Sequence, residues 1–193
     1  VGKKKFVLSD KRSPKGDGDL YPNLIQCVEN LKNYRNLTDS AVMINIKCIV
    51  HMVGDMHCPS HIFYTEFPDC FRKPGKKYRW DCFPITYEGE KATYHKVWDG
   101  LSILELYPEY NEDYKLFCDK LDNLSAKKRA KICEGSVDDW VLQNAKDCRV
   151  IYEWAKPNDD IDRKFLLKHR KLTLQQYHRA SCRLAYVLNE CLK

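Results

Sequence analysis

His51-Met52-Val53-Gly54-Asp55-Met56-His57-Cys58-Pro59-Ser60-His61 decides how the chain is read. Upstream of it, Thr38 or Asp39 can cap a helix that carries Ala41, Val42, Ile44, Cys48, Ile49, Met52 and Val53, and that segment is apolar almost all round, so a buried central helix is expected. His51 and Asp55 are four apart, which places them on one face of the helix, one turn from each other. Gly54 leaves room for close approach beside Asp55. Pro59 limits the helix, because the residue before a proline is pushed out of the helical region, and His61 follows the turn. Buried without partners, His51 and Asp55 would cost several kcal/mol, and one metal ion would satisfy both.

His95-Lys96-Val97-Trp98-Asp99 repeats the spacing. A single His–Asp pair at i and i+4 is commonly an ordinary surface pair. Two pairs are a different matter, since two helices can then hold a cation between them. An imidazole nitrogen and a carboxylate oxygen at this spacing can share one ion at about 2.0–2.2 Å from each, the range for zinc. The candidate metal ligands are therefore His51, Asp55, His61, His95 and Asp99. His57 is expected either as a donor behind a ligand or on the surface. His169, inside the basic run Lys168-His169-Arg170-Lys171, is expected on a solvated face, and His178 has no neighbouring histidine or acid to join it.

Outward from these motifs the pattern is helical throughout, so the fold class is all-α. Residues 1–22 lack a period and read as a loop or an extended arm. Leu24, Cys27, Val28 and Leu31 mark a first helix to about residue 32. Residues 65–94 contain Pro68, Pro74, Gly75, Pro84 and Gly89, a long loop with room for a short hairpin around Tyr78 to Tyr87 and for a local Cys70–Cys82 bridge. A helix near Ala92 carries His95 and Asp99, and later helices are expected at about 111–121, 124–132, 136–154, 159–168 and 173–192.

With 193 residues, 44% of them hydrophobic and 31% charged, the chain can form one domain over 1–193 with a real core. No run of about 18 apolar residues exists, which excludes a membrane-spanning helix, and the first residues lack the pattern of a signal peptide. The net charge of +6 suits a polyanionic substrate without specifying one. The basic clusters Val1–Lys5, Arg72–Lys77 and Lys127–Arg129 lack the interleaved aromatic residues of a base-stacking platform. Ten cysteines without a Cys-x-x-Cys pair argue against a cysteine zinc cluster and for disulfides in an oxidising compartment, so a secreted or periplasmic location is expected. Asn36 and Asn123 match the glycosylation acceptor pattern.

The first motif resembles the His-x-x-Gly-Asp-x-His-x-Pro-x-His core of the S-one/P-one (S1/P1) nuclease family, secreted zinc-dependent nucleases. Tyr94-His95-Lys96-Val97-Trp98-Asp99 is similar to that family's His-x-x-Trp-Asp segment. Ala180-Ser181-Cys182-Arg183-Leu184-Ala185-Tyr186-Val187-Leu188-Asn189 is similar to its closing helix, while Trp140-Val141-Leu142-Gln143-Asn144 stands where the family has a Trp-Ala-x-Glu-Ser stretch. The likeness runs over about residues 24–192. It implies a single-domain helical bundle of the phospholipase C / S-one/P-one nuclease type with three zinc ions. By the resemblance, His51 and Asp55 would bind the first ion, His61, His95 and Asp99 the second, and Asp55 would bridge to the third as the catalytic carboxylate.

The implied function is a zinc-dependent phosphodiesterase: an endonuclease on single-stranded DNA or RNA that gives 5′-nucleotides, with 3′-nucleotidase activity as a second expectation. The alternatives are a phospholipase C-like lipid phosphodiesterase and a degenerate, non-catalytic helical binding protein. Tyr94 and Trp98 are the aromatic residues nearest the expected metals. The family's remaining ligands, an amino-terminal Trp, a His after it, and a further Asp and His, have no counterpart before His51. An upstream segment of roughly 60–80 residues, judged from domain size, or a second chain is expected to supply them. The other explanation is loss of the first and third ions, and the expected burial of His51 and Asp55 favours the former.

Overall fold

The computed structural model describes residue 8 and residues 19–62, 64, 83–110 and 113–193. The Cys70–Cys82 bridge, the basic cluster at 72–77 and nearly all of the amino-terminal arm lie outside the described residues. The chain forms α1 (Leu20–Lys32), α2 (Asp39–His57), β1 (Pro84–Tyr87), β2 (Glu90–Thr93), α3 (Tyr94–Lys96), α4 (Ser102–Leu104), α5 (Tyr114–Leu121), α6 (Ala126–Cys133), α7 (Val137–Cys148), α8 (Ile151–Trp154), β3 (Asp160–Ile161) and α9 (Arg163–Cys191). The expected all-α class stands, with one small sheet added. Two compact units divide the contacts: unit 1 is Val1–His57, Ser125–Lys146 and Arg179–Lys193, and unit 2 is Cys58–Leu124 and Asp147–His178.

Unit 1 is built on an apolar cluster of Leu24 and Leu31 from α1, Ile49, Val53 and Met56 from α2, Trp140 from α7, and Val187 and Cys191 from α9. The α2 residues in it are spaced by four and three, which defines one helical face. Thr38 caps α2, its Oγ1 accepting from the Ala41 amide at 3.3 Å. The opposite face corrects the expectation of a helix buried all round: Met43, Ile44 and Val50 are 50%, 57% and 45% exposed. The apolar residues outnumber what one face can bury, so the surplus points outward. Asn30 and Asn45 join α1 to α2, the Asn30 amide donating to Asn45 Oδ1 at 3.2 Å and Asn45 donating to the Ala41 carbonyl at 2.8 Å.

Helix α7 opens with a reciprocal cap. Asp139 Oδ2 accepts from the Ser136 amide and hydroxyl, both at 2.8 Å, and Ser136 Oγ accepts from the Asp139 amide at 3.3 Å. These bonds hold the Asp139 carboxyl below its ordinary range, so its stabilising effect is present above that range and is lost as pH falls through the lowered value. Asp139→Asn is therefore expected to lower the melting temperature at pH 7 and to have little effect in strong acid. Equal losses at both pH values in a thermal melt would show that the carboxylate charge has no part in the cap.

Unit 2 contains the sheet, ordered β2-β1-β3, with β1 antiparallel to β2 and parallel to β3. The hairpin turn is Glu88-Gly89, both with positive φ (52° and 81°), the backbone of a tight two-residue connection. The hairpin therefore lies about one strand further along than the sequence suggested. β3 replaces the start of the expected helix at 159–168. Nothing between Asp162 and the carboxyl end is Gly or Pro, so the two helices expected at 159–168 and 173–192 are one, α9. The expected helix at 136–154 is interrupted after Cys148 and resumes at Ile151.

Candidate metal centre

Asp55 and His51 lie in unit 1 and pair with each other, His51 Nε2 to Asp55 Oδ2 at 3.2 Å. The His51 side chain is 76% exposed and that of Asp55 31%, because both sit on the open side of α2. This corrects the argument from burial. As a pair alone they resemble an exposed i, i+4 contact, worth about 0.3–0.5 kcal/mol.

The second set lies in unit 2 and is more tightly built. Cys58 adopts the extended backbone expected before a proline (φ −72°, ψ 120°), and Pro59–His61 forms a single 3-10 turn that places His61. Thr93 caps the helix that follows β2, accepting from the Lys96 amide at 3.3 Å. That helix widens over Val97–Leu101 into a π segment, a feature often found at functional sites, and this wider turn carries Asp99 on the same side as His95. His61 and His95 stack with ring centroids 4.8 Å apart. Their Nε2 atoms are 3.3 Å from each other, and Asp99 lies 3.3 Å from His61 Nε2 and 3.8 Å from His95 Nε2.

Those separations fit a cation. Around a tetrahedral zinc ion with Zn–N of 2.0–2.1 Å, neighbouring ligand nitrogens are about 3.3–3.4 Å apart. One proton can join two of these atoms, whereas one divalent ion can hold all three. Cys58 belongs to the same group: its Sγ, a His61 ring nitrogen and an Asp99 oxygen all lie within 4.8 Å of one another. The sequence offered a signal for Cys58 in the Cys-x-x-His spacing to His61. It offered none for Tyr177, 36% exposed, whose hydroxyl pKa is raised by partial desolvation and by the nearby Cys58 and Asp99.

Tyr94 and Trp98, the aromatic residues expected nearest the metals, belong to the core of unit 2. They are 0% and 3% exposed. Tyr94 stacks on Phe83 at 4.7 Å and its hydroxyl donates to the Ile151 carbonyl at 2.6 Å, and Trp98 meets Tyr94 edge-on and leans on Trp154. Both pack behind the helix that presents His95 and neither is open to a base. His169 is likewise not simply solvated: it stacks on Trp154 at 3.8 Å, and partial burial lowers its pKa.

His57 is buried in unit 1, which removes the surface alternative. Its Nδ1 donates to the Val53 carbonyl at 2.7 Å, leaving Nε2 to accept from Arg183 Nη1 at 3.0 Å. Burial, opposed by the Val53 contact and reinforced by Arg183 and Arg179, pushes its pKa down to about 3. The imidazole is neutral in the folded state.

The eight described cysteines, Cys27, Cys48, Cys58, Cys118, Cys133, Cys148, Cys182 and Cys191, carry thiols with no disulfide among the described residues. No described helix is long and apolar enough to cross a membrane. A comparison with individual curated proteins gives no match. The profile of the S1/P1 Nuclease family, by contrast, matches residues 8–193, a span that contains both His–Asp pairs and the buried His57–Arg183 contact, and the chain therefore belongs to the S1/P1 nuclease family, hydrolases that act on nucleic acid.

Proposed function

We propose that this protein is a zinc-dependent phosphodiesterase that cuts single-stranded DNA or RNA to 5′-nucleotides, with a separate 3′-nucleotidase activity on nucleotides that carry a 3′-phosphate. The observation that carries the reading is the convergence of His61 Nε2, His95 Nε2 and the Asp99 carboxylate at 3.3–3.8 Å. In this proposal His61, His95 and Asp99 hold one ion, and His51 and Asp55 hold another. Zinc at such positions supplies an ionisable water near neutral pH and positive charge for the phosphoryl oxygens.

The residues themselves have separable tasks. His61 and His95 would offer ring nitrogens and Asp99 carboxylate oxygens to the ion, and the packing of Phe83, Tyr94 and Trp98 fixes the helix from which His95 and Asp99 project. The net charge of +6 favours a polyanion. Secretion, which suits the family, is part of the same proposal.

The test is product analysis with single-stranded DNA, RNA and phosphatidylcholine vesicles, before and after chelation and again after zinc is restored. Cleavage of nucleic acid with 5′-phosphate ends, lost with chelator and recovered with zinc, is the expected result. Release of the lipid headgroup instead would move the protein to the phospholipase C branch. No cleavage of any substrate at full zinc content would make it a binding protein.

A further inference from the structure

We propose that Cys58 is a thiolate ligand of the ion held by His61, His95 and Asp99, which makes this a site with four protein ligands rather than three. The inference rests on the zinc reading above and goes beyond it. Its first support is distance. Cys58 Sγ falls within 4.8 Å of ligand atoms of both His61 and Asp99, and around a tetrahedral zinc ion a sulfur and a nitrogen are separated by about 3.6 Å, so an approach of about 1 Å brings the sulfur to the spacing that a shared ion sets with these two ligands. The backbone is already committed, since Pro59 holds Cys58 extended and the turn that follows returns His61 to the same side.

The second support is the surroundings of the sulfur. Ser60 is fully buried, with its hydroxyl 3.2 Å from Cys58 Sγ and 3.4 Å from the His95 carbonyl. That hydroxyl can turn from the carbonyl to donate to a thiolate, the kind of hydrogen bond that orients and stabilises a metal-bound sulfur. As it stands, the hydroxyl donates instead to that carbonyl and ties the turn bearing Cys58 and His61 to the helix bearing His95. A soft thiolate added to two imidazoles and a carboxylate favours zinc over magnesium or calcium. Zinc that expands to five-coordination keeps one position beyond these four protein ligands for the water of the proposed reaction.

Cobalt substitution separates this inference from the metal reading on which it rests. Tetrahedral visible bands report that the site binds an ion, and a near-ultraviolet thiolate-to-cobalt charge-transfer band reports sulfur ligation. The wild-type protein is expected to show both. Cys58→Ser and Cys58→Ala, with helical circular dichroism unchanged, are expected to keep the visible bands and lose the charge-transfer band, and to bind zinc at least about tenfold more weakly in competition with a chelator, since even outer partners of a ligand are worth 10–100-fold. X-ray absorption of the zinc-loaded wild type needs no variant and is expected to show a sulfur shell at about 2.3 Å. Visible bands without charge transfer, charge transfer of equal strength in both variants, or no sulfur shell would overturn the role of Cys58 and leave the metal site standing. No visible bands at all would overturn both.

Discussion

His95→Ala is expected to remove zinc from unit 2 and to lower phosphodiester cleavage by at least about a thousandfold. Loss of a single preorganised donor at a developing charge costs about 10²–10³ in rate, and a cation carries more charge than a donor does. His95 Nε2 lies 3.3 Å from His61 Nε2, so its removal takes one corner from the ligand set and leaves His61 and Asp99 as a polar pair at 3.3 Å. The His95 ring is about one-fifth exposed, and the packing that fixes its helix belongs to Tyr94 and Trp98, so the fold should survive. Zinc per chain by elemental analysis, circular dichroism and single-stranded DNA cleavage are to be measured on the same preparation. Wild-type zinc content and activity in a folded His95→Ala protein would remove His95 from the metal centre. Loss of zinc with undiminished activity would mean that this ion has no part in the reaction.

The local rules of the chain were legible where a single residue dictates geometry. Pro59 set the end of α2 and the extended backbone of Cys58, and with them the place of His61. The spacing from His95 to Asp99 set a shared side, although the π widening that carries Asp99 left no mark in the sequence. What sequence could not give was the balance between faces. Apolar residues surround α2, but Ile49, Val53 and Met56 are the α2 residues buried in the unit 1 core, with Val42, Ile46 and Met52 packed partly buried against it, so His51 is exposed where the pattern implied burial. Tyr94 and Trp98 could be named as neighbours of the metals but not placed, because aromatic rings serve both stacking and packing, and only tertiary contacts distinguish the two. The partners of His57 and Tyr94, Arg183 and the Ile151 carbonyl, are 126 and 57 residues away, beyond any local pattern.

Arg183→Met is expected to cost about 3–5 kcal/mol of stability and to lower the melting temperature by about 6–20 °C, at 2–4 °C per kcal/mol for a chain of this size. Arg183 is 2% exposed. Its Nε donates to the Ile132 carbonyl at 3.1 Å, its Nη1 donates to His57 Nε2 at 3.0 Å, and its other arm donates to Gln143 Oε1, while its guanidinium lies 4.9 Å from the Trp140 ring centre. One side chain thus satisfies three acceptors from three segments of unit 1, and methionine keeps the volume while orphaning all of them. Arg183→Lys keeps the charge but not the planar fork, so it should recover less than half of the loss. If the lysine variant were as stable as wild type, charge rather than the fork would be the stabilising feature. The same contact makes the protein acid-sensitive. His57 has a folded pKa of about 3 against about 6.5 when unfolded, so between those values the unfolded chain binds more protons. The contribution is complete above pH 6.5 and falls by about 1.4 kcal/mol per pH unit below it, or about 2–3 kcal/mol by pH 4.5. Urea midpoints measured in chelator throughout, so that metal release does not contribute, should therefore drop steadily from pH 6.5 to 4.5. A midpoint that stays level across that window would mean that the folded protein accepts a proton at His57, and the neutral ring facing Arg183 could not then be what holds these segments together.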